Sequence, residues 1–542
     1  MNFLSHHSSS QNSWDALIIG GGHNGLTTAA YLARAGLKTL VLEKNSVVGG
    51  AAQTEEFYPR FRNSVAAYTV SLLDPLIIKE LDLENFGLKI IERPEANFLP
   101  IDENHALLWP YGMDERQRAL ANFSAHDAKQ YPAYEAALQK IARILLPILR
   151  QTPPNAGGGL LELMKGIYQS RSLINLSLED KRIFSDLLTK SVSDFLGQWF
   201  ENTHVKALFA FDGIVGTYAS PSTPGTAYVL LHHCIGGLNG KSGIWGHCIG
   251  GMGAITQAMK KSVLASGAEI RNNSEVVRVR ITEARIVGLE LKNGDFLQGR
   301  IVVSNISPKL LFRDLLDEDA VPKNIRRRFM AIKTGSGSFR MNVALSELPD
   351  FLACRGSTPS PHHGAGIIIG PTLEYLENAY LDACREGWSR HPVIEMVIPS
   401  VYDPTLAPSG YHVASLFVQF VAPHLPNGRS WRNEYEKEDF ADCVINTITQ
   451  YAPNFKRSIL ARQILSPLDL EQRFGLIDGD IFHGQLSSDQ LFSLRPVLGY
   501  ADYRMPISNL YLCGSGAHPG GGVTGLPGRN AAHEILKDRK NF

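Results

Sequence analysis

Ala16-Leu17-Ile18-Ile19-Gly20-Gly21-Gly22-His23-Asn24-Gly25-Leu26, followed by Thr39-Leu40-Val41-Leu42-Glu43, decides the fold. A short apolar run that gives way at once to glycines is the pattern of a buried parallel strand ending in a tight turn. The glycines keep the G-x-G-x-x-G spacing, and each has its own task. Gly20 allows the turn, Gly22 lets a pyrophosphate approach the backbone, and Gly25 lets helix and strand pack closely. Leu26, Ala29, Ala30 and Ala33 predict one face of a helix that Gly36 ends. The N–H groups and partial positive charge at its start suit phosphate oxygens. Glu43 lies 18 residues beyond Gly25, where a carboxylate accepts from both ribose hydroxyls and disfavours a 2'-phosphate. A glycine triplet alone is weak evidence. The whole order of strand, turn, helix, strand and carboxylate predicts a dinucleotide site.

Working outward, 542 residues are enough for two to four structural units, and 44% hydrophobic with 20% charged residues is an ordinary globular composition. Lys+Arg and Asp+Glu number 53 each, so no net field attracts nucleic acid, which is excluded as a partner. The basic run Arg326-Arg327-Arg328 reads as a solvated helix face. The six cysteines form no C-x-x-C pair and no zinc spacing, which removes a redox-active disulfide and a metal centre from expectation. A reducing compartment fits, the cytoplasm or, in a eukaryotic cell, the mitochondrial matrix. Residues 1–13 read as a flexible leader, and no apolar stretch approaches the roughly 18 to 20 residues needed to cross a bilayer.

From about Ile77 to Gly240 the pattern is mainly helical and predicts a cap, with the loop Thr152–Gly159 between two apolar helical stretches. Leu138, Ile141, Leu145, Leu146 and Leu149 recur at helical spacing, with Leu160, Leu161 and Met164 after the loop. That stripe is either the cap's own core or a face that docks peripherally on a membrane. Gly250-Gly251-x-Gly253 opens a helix to about Ala265. No apolar strand precedes it, which argues against a second dinucleotide site. Glu275–Val279, Ile286–Leu291 and Phe296–Val303 read as strands with a hairpin at Asn293-Gly294. Phe339–Leu345, Val393–Ile398 and Val413–Val421 predict a sheet walling a substrate cavity.

The carboxy terminus returns to the cofactor. Leu510-Tyr511-Leu512-Cys513 is a short strand running into Gly514-Ser515-Gly516, then Gly520-Gly521-Gly522-Val523-Thr524 and a helix from about Thr524 to Lys537. Such a path brings backbone amides to a pyrophosphate and ribityl chain, and the helix start to a flavin pyrimidine ring. The stretch 510–532 resembles the carboxy-terminal FAD motif of the phytoene desaturase and carotenoid isomerase-like flavoproteins. It is most similar to the branch called pyridine nucleotide-disulfide oxidoreductase domain-containing protein 2. Gly225–His233, Trp245–Ala254, Val303–Pro308, Asp403–Pro408 and Ile481–Gly484 carry the same resemblance. Gly49-Gly50 resemble the second glycine pair of FAD enzymes in the glutathione reductase and amine oxidase superfamilies, which favours FAD over NAD.

The resemblance implies an α/β fold: a Rossmann-like FAD-binding domain of the flavin amine oxidase and glutathione reductase superfamily, with a mixed-sheet substrate domain and a helical cap. The FAD domain is then assembled from 14–76, 245–310 and 495–542, around a cap at 77–244 and a substrate domain at 311–494. Cofactor contacts fall to Gly20, Gly22, Gly25, Glu43, Gly49, Gly50, Val276, Gly514, Ser515, Gly522, Val523 and Thr524. Two departures matter. Ala51 stands where many relatives carry arginine, and Arg340 is the best match to the amine oxidase lysine near flavin N5. An arginine cannot serve as a base at neutral pH. Arg340 and His518 are the catalytic candidates, while His232, His233, Trp245 and His483 read as structural. The expected activity is FAD-dependent desaturation, dehydrogenation or isomerisation of a lipophilic, polyene-like substrate. A flavin amine oxidase and a flavin-holding interaction protein with vestigial catalysis are the alternatives.

Overall fold

The computed structural model describes residues 13–155, 157–238, 241–356 and 358–541, so the leader expected at 1–13 lies almost wholly outside the described residues. β1 (Trp14–Ile19) runs into α1 (His23–Arg34), and β2 (Thr39–Leu42) returns beside it in parallel. Leu17 lies opposite Leu40 and Ile18 opposite Val41, all four wholly buried. Burial on both faces is why these strands are unbroken apolar runs rather than alternating ones.

The chain then leaves this sheet. β3 (Asn97–Pro100) and β4 (Ala106–Trp109) form a hairpin within the stretch whose pattern reads as mainly helical. Four-residue apolar runs are too short for a helix, and the Asp102 carboxylate accepts the N–H groups of Asn104 and His105 to make the turn between them. Cap helices follow, among them α2 (Ala125–Leu149), α3 (Gly159–Ile174), α4 (Thr203–Ile214) and α5 (Thr226–Cys234). Leu138, Ile141 and Leu145 of α2 pack with Leu187, Leu208, Phe209 and Leu230. Leu149 is also buried and Leu146 half-buried, so the α2 stripe packs into the cap's core.

The chain returns through α6 (Gly253–Ala265) to β5 (Glu269–Arg271), which lies parallel outside β2. β6 (Val276–Thr282), β7 (Arg285–Leu291) and β8 (Phe296–Ser304) form an antiparallel meander, with Gly294 in the left-handed region at the second turn. The end of β8 runs parallel to β1, Val302 opposite Leu17 and Val303 opposite Ile18.

A second excursion supplies β9 (Phe339–Leu345), β10 (Gly366–Ile369), β11 (Trp388–Val397), β12 (His412–Val421) and β13 (Ile459–Leu465). With β3 and β4 they make a sheet of order β13-β9-β12-β11-β10-β3-β4, antiparallel except where β10 meets β3. Its two faces differ although both are buried. Met341, Val343, Leu416, Val418, Ile394 and Met396 pack into an apolar core with the helix Glu434–Tyr451. The alternate positions carry Arg340, Asn342, Ser415, Phe417, Gln419 and Glu395. A buried face this polar is set aside for something other than packing.

Last, β14 (Leu510–Leu512) joins the free side of β8 in parallel, and α7 (Leu526–Asp538) packs on α1. Among the described residues the first sheet thus reads β5-β2-β1-β8-β7-β6, with β14 on β8. The two helices cross closely because Gly528 has no side chain to strike the Asn24 carbonyl, and Thr28 donates to the Gly528 carbonyl across the contact (3.0 Å).

One buried carboxylate locks an excursion to the first sheet. Asp403 accepts from His247 Nε2 (2.9 Å), the Gly250 N–H (2.8 Å) and Thr405, fixing the turn that leads into α6. Burial opposes its ionisation, but these hydrogen bonds outweigh burial and hold its pKa at about 2. Asp403→Ala is expected to destabilise the fold by about 3 kcal/mol, since an imidazole and an N–H group lose their acceptor in a dry interior. The native carboxylate's contribution is complete above the ordinary range near pH ~4 and fades as pH falls through about 2. Equilibrium denaturation at neutral pH and along an acid series checks both effects.

Candidate functional site

A cavity of about 680 Å³ runs along the ends of β1, β2 and β8 toward the polar face of the second sheet. At one end it is lined by Glu43 and Val276, in the middle by Gly20, Gly22, Asn305 and Ser515, and at the far end by Tyr68, Trp245, Phe417 and His233. Glu43 ends β2 nearly buried. Its Oε2 accepts the Gly21 N–H (2.8 Å) and its Oε1 the Asn45 N–H (2.9 Å), which aims the carboxylate and leaves lone pairs for hydroxyl donors. Gly20 turns in the left-handed region, and Asn305 at the end of β8 donates to its carbonyl (3.1 Å). α1 begins at His23 behind Gly22, and no side chain among the described residues caps it. Its first N–H groups therefore remain available to an anion. An acceptor pair, a glycine floor and an uncapped helix start, in that order along one cavity, fit the ribose and pyrophosphate of a dinucleotide.

The remaining glycines act differently from one another. Gly50 lines the cavity, while Gly49 donates to the Gly21 carbonyl (2.9 Å) and braces the loop from behind. Gly25 lies against the Gly20 carbonyl, where a Cβ would clash, consistent with its packing task. Gly514 needs its missing side chain for the Asn305 backbone, which a Cβ would approach to 2.6 Å. Gly522 and Val523 line the cavity, but Thr524 does not; its hydroxyl accepts the Leu526 N–H (3.1 Å) at the start of α7. α7 begins two residues later than the sequence suggests, and its first turn is used against α1 rather than presented to the cavity.

The far end is aromatic. Tyr68 stacks on Phe417 with ring centres 5.5 Å apart, and His233 stacks on Trp245 at 6.1 Å. His233 Nδ1 lies 2.9 Å from the carbonyl oxygens of both Val229 and Asp212. Only an N–H group can sit between two acceptors, so the neutral ring carries its proton on Nδ1 and offers Nε2 as a lone pair. Among the described residues no donor meets that Nε2, and the ring borders the cavity. Burial, against those two hydrogen bonds, lowers its pKa and keeps it neutral. His23 and His483 also border the cavity. Burial and the neighbouring His483 ring lower His23 to about 3, and burial with the Arg495 guanidinium lowers His483 to about 4.

Behind Tyr68 lies the polar face of the second sheet. The Tyr68 hydroxyl bonds to Glu395, which pairs with Arg93 (3.6 Å). The Arg340 guanidinium lies 4.4 Å from the centre of the Tyr68 ring and 5.9 Å from that of Phe417, and it donates to Ser415 (2.6 Å). Burial lowers it only to about 10, against the pull of Tyr68 and Glu395, so it stays a cation. Neither catalytic candidate from the sequence lines the cavity. Arg340 is screened by the Tyr68 and Phe417 rings. His518 is wholly enclosed, its pKa lowered by burial to about 4, and its carbonyl accepts from Tyr503 (2.9 Å).

The sequence reading missed Tyr68, Phe417 and Arg495. Arg495, 1% exposed, donates to the carbonyls of Phe482 (2.7 Å), Gly484 (3.1 Å), Gln485 (3.3 Å), Gln490 (3.4 Å) and Ser515 (2.7 Å). It thereby clamps the loop bearing Phe482 and His483 to the carboxy-terminal glycine path. Burial lowers its pKa to about 10, opposed by Asp480 and Tyr228. An isolated Arg495-Pro496 pair carries no periodicity that would mark it. Asn305 had a signal, since it lies in the Val303–Pro308 stretch.

Residues 18–75 match the family described as NAD(P)-binding Rossmann-like domain. Over 98% of its length the chain is 42% identical to pyridine nucleotide-disulfide oxidoreductase domain-containing protein 2 of Rattus norvegicus, of which 94% is covered. It is 24% identical to the lycopene-forming phytoene desaturase of Pantoea ananas, over 94% of this chain and 96% of that one. Cyclohexylamine oxidase from Brevibacterium oxydans shares the fold with a TM-score of 0.58 at 15% identity, over 97% of this chain and 99% of that one.

Asp212, on α4 beside His233, supplies a test of this end of the site. Burial, with Glu395 adding and Arg93 opposing, raises its pKa to about 7. The fold favours its protonated form. Its contribution is therefore full below the ordinary carboxylate range and is lost as pH rises from there through about 7. Asp212→Asn, which cannot ionise, is expected to gain thermal stability relative to the native protein across that window and to hold a constant advantage above it. Melting temperatures taken from acid to mildly alkaline pH check the sign.

Proposed function

Because the chain belongs to the family of pyridine nucleotide-disulfide oxidoreductase domain-containing protein 2 and is an oxidoreductase, we propose that it is an FAD-dependent dehydrogenase removing hydride from a C–H bond of a hydrophobic substrate. The observation that carries this reading is the single cavity joining the Glu43 and Val276 end to the aromatic end at Tyr68, Trp245 and Phe417. Its length and order suit adenosine, pyrophosphate and an isoalloxazine ring in turn. FAD would supply the hydride acceptor.

The residues present give each part of the work a holder. Glu43 binds ribose hydroxyls, the start of α1 and Gly22 take the pyrophosphate, and Ser515, Gly522 and Val523 border the path to the ring. Tyr68, Phe417, Trp245 and Phe482 exclude water and orient an apolar substrate. His233 Nε2 accepts the proton that leaves the substrate as its hydride departs, because its tautomer is set by two carbonyls. Amine oxidation by a lysine-assisted route has no support here, since Arg340 stands in that place behind the Tyr68 ring. The name of the family notwithstanding, no cysteine among the described residues lines the cavity.

The purified protein is expected to be yellow, with one FAD per chain released by denaturation, and Gly22→Val to be colourless. A side chain at position 22 would strike Asn305 Nδ2, 2.9 Å from its Cβ, as well as occupy the pyrophosphate position. With flavin bound, anaerobic bleaching by a terpene or polyene hydrocarbon, and not by primary amines, is the expected outcome. His233→Phe should slow that bleaching by about 10²- to 10⁴-fold without releasing flavin, the usual worth of a general base. A protein that cannot be reconstituted with FAD overturns the reading, and bleaching by amines alone replaces it with amine oxidation.

A further inference from the structure

α3 is built inside out. Around this 16-residue helix, Glu162, Lys165, Gly166 and Gln169 fall on one side, and that side faces the protein. Glu162 accepts the Asn155 N–H (2.7 Å), Lys165 donates to the Pro153 carbonyl (3.3 Å), Gln169 donates to the Thr152 carbonyl (3.0 Å), and Gly166 lies against Pro154. The opposite side carries Leu160, Leu161, Leu163, Met164, Ile167 and Tyr168, each between 56% and 80% exposed. An ordinary surface helix is turned the other way, apolar stripe inward. Polar anchoring with six large apolar side chains outward holds the helix ready for an apolar medium.

The same face identifies that medium. Arg171 lies on it, exposed, with its guanidinium 4.1 Å over the Tyr168 ring. In the middle of a protein interface an unpaired arginine would be buried at high cost. At a bilayer surface, an arginine and a tyrosine reach up from an immersed helix to the phosphate layer while their stems stay in the apolar zone. The area argues the same way. A helix of this length is about 24 Å long, and half its girth covers a few hundred Å². That is short of the roughly 800 Å² per partner that a stable protein interface buries. A lipid surface needs no more than immersion of one helical face. Among the described residues no helix is long and apolar enough to cross a membrane, so the contact is peripheral.

We propose that α3 is an interfacial helix that seats the cap on a phospholipid bilayer, with its Leu160–Tyr168 face immersed and Arg171 at the phosphates. Of the apolar stripe read from the sequence, the part on α2 is turned into the cap and Leu160, Leu161 and Met164 remain outward, and the docking stands independently of the redox chemistry above. Co-sedimentation of the full chain with vesicles of phosphatidylcholine, alone or mixed with phosphatidylglycerol, tests it. The native protein is expected to pellet with both, more with the anionic mixture. Leu161→Ser with Ile167→Ser should reduce the bound fraction at least about fivefold without moving the melting temperature, because both side chains are already in solvent. Arg171→Gln should lose only the excess seen with phosphatidylglycerol. In the native protein, amide exchange over 159–174 should slow when vesicles are added. Native protein left in the supernatant with both lipids overturns the proposal. So does a native dimer, seen by light scattering, that the double serine variant makes monomeric, since the face would then join two copies of the chain.

Discussion

A guanidinium in a cage of carbonyl oxygens holds the cavity's shape. Arg495 binds backbone from 482 to 490 on one side and Ser515 on the other, so two loops without regular structure of their own behave as one wall. The cation is compensated by Asp480, which burial raises to about 6 while the N–H of Phe482 and the nearby guanidinium oppose the rise. Asp480 in turn receives the N–H groups of Phe482 and Gly335. The glycine path at 514–523 is thereby placed against the end of β8, and the far end of the cavity depends on that placement.

A second constraint is the unequal faces of the substrate sheet. Strand periodicity places every other residue of β9, β11 and β12 toward the cavity, and those positions are Arg340, Glu395, Ser415 and Gln419. In this dry layer Glu395 holds Tyr68 and Arg93, Arg340 holds Ser415, and Gln419 reaches the cap backbone at Ile214, Gly216 and Thr217. Such a layer is rigid because each member loses much if its partner moves. The aromatic rings nearest the cavity are thus held from behind by fixed dipoles and charges, and only their apolar surfaces are offered to a substrate.

The parts legible in the sequence are those with local periodicity. The apolar runs of β1 and β2, the glycine spacing, Glu43 and the hairpin at Asn293-Gly294 each carry their own pattern, and the structure has them where the pattern puts them. What stayed hidden depends on contacts distant in sequence. Helical spacing in α2 declares an apolar face but not what covers it, and the cap does. Position 340 matches a motif, yet Tyr68 stands between it and the cavity from a segment hundreds of residues earlier. His233 looked structural because its Nδ1 bonds are structural; the free Nε2 on the same ring becomes visible only when the cavity is drawn.

The sheet that starts at the amino terminus is finished at the other end of the chain. β1 takes β8 as its neighbour, β8 takes β14, and α1 takes α7, so the free edge of β8 and the face of α1 wait for residues past 500 before they are covered. On the ribosome, at about 5–20 residues per second, that leaves an exposed parallel-strand edge for tens of seconds. Contacts of such high sequence separation fold slowly. The cap and the substrate sheet, each with a core of its own, are able to condense during that interval and narrow the search for the final strand. Biogenesis is therefore the stage at which this architecture is most vulnerable, and a chain released before Leu510 would lack both the closing strand and the Ser515 carbonyl that Arg495 holds.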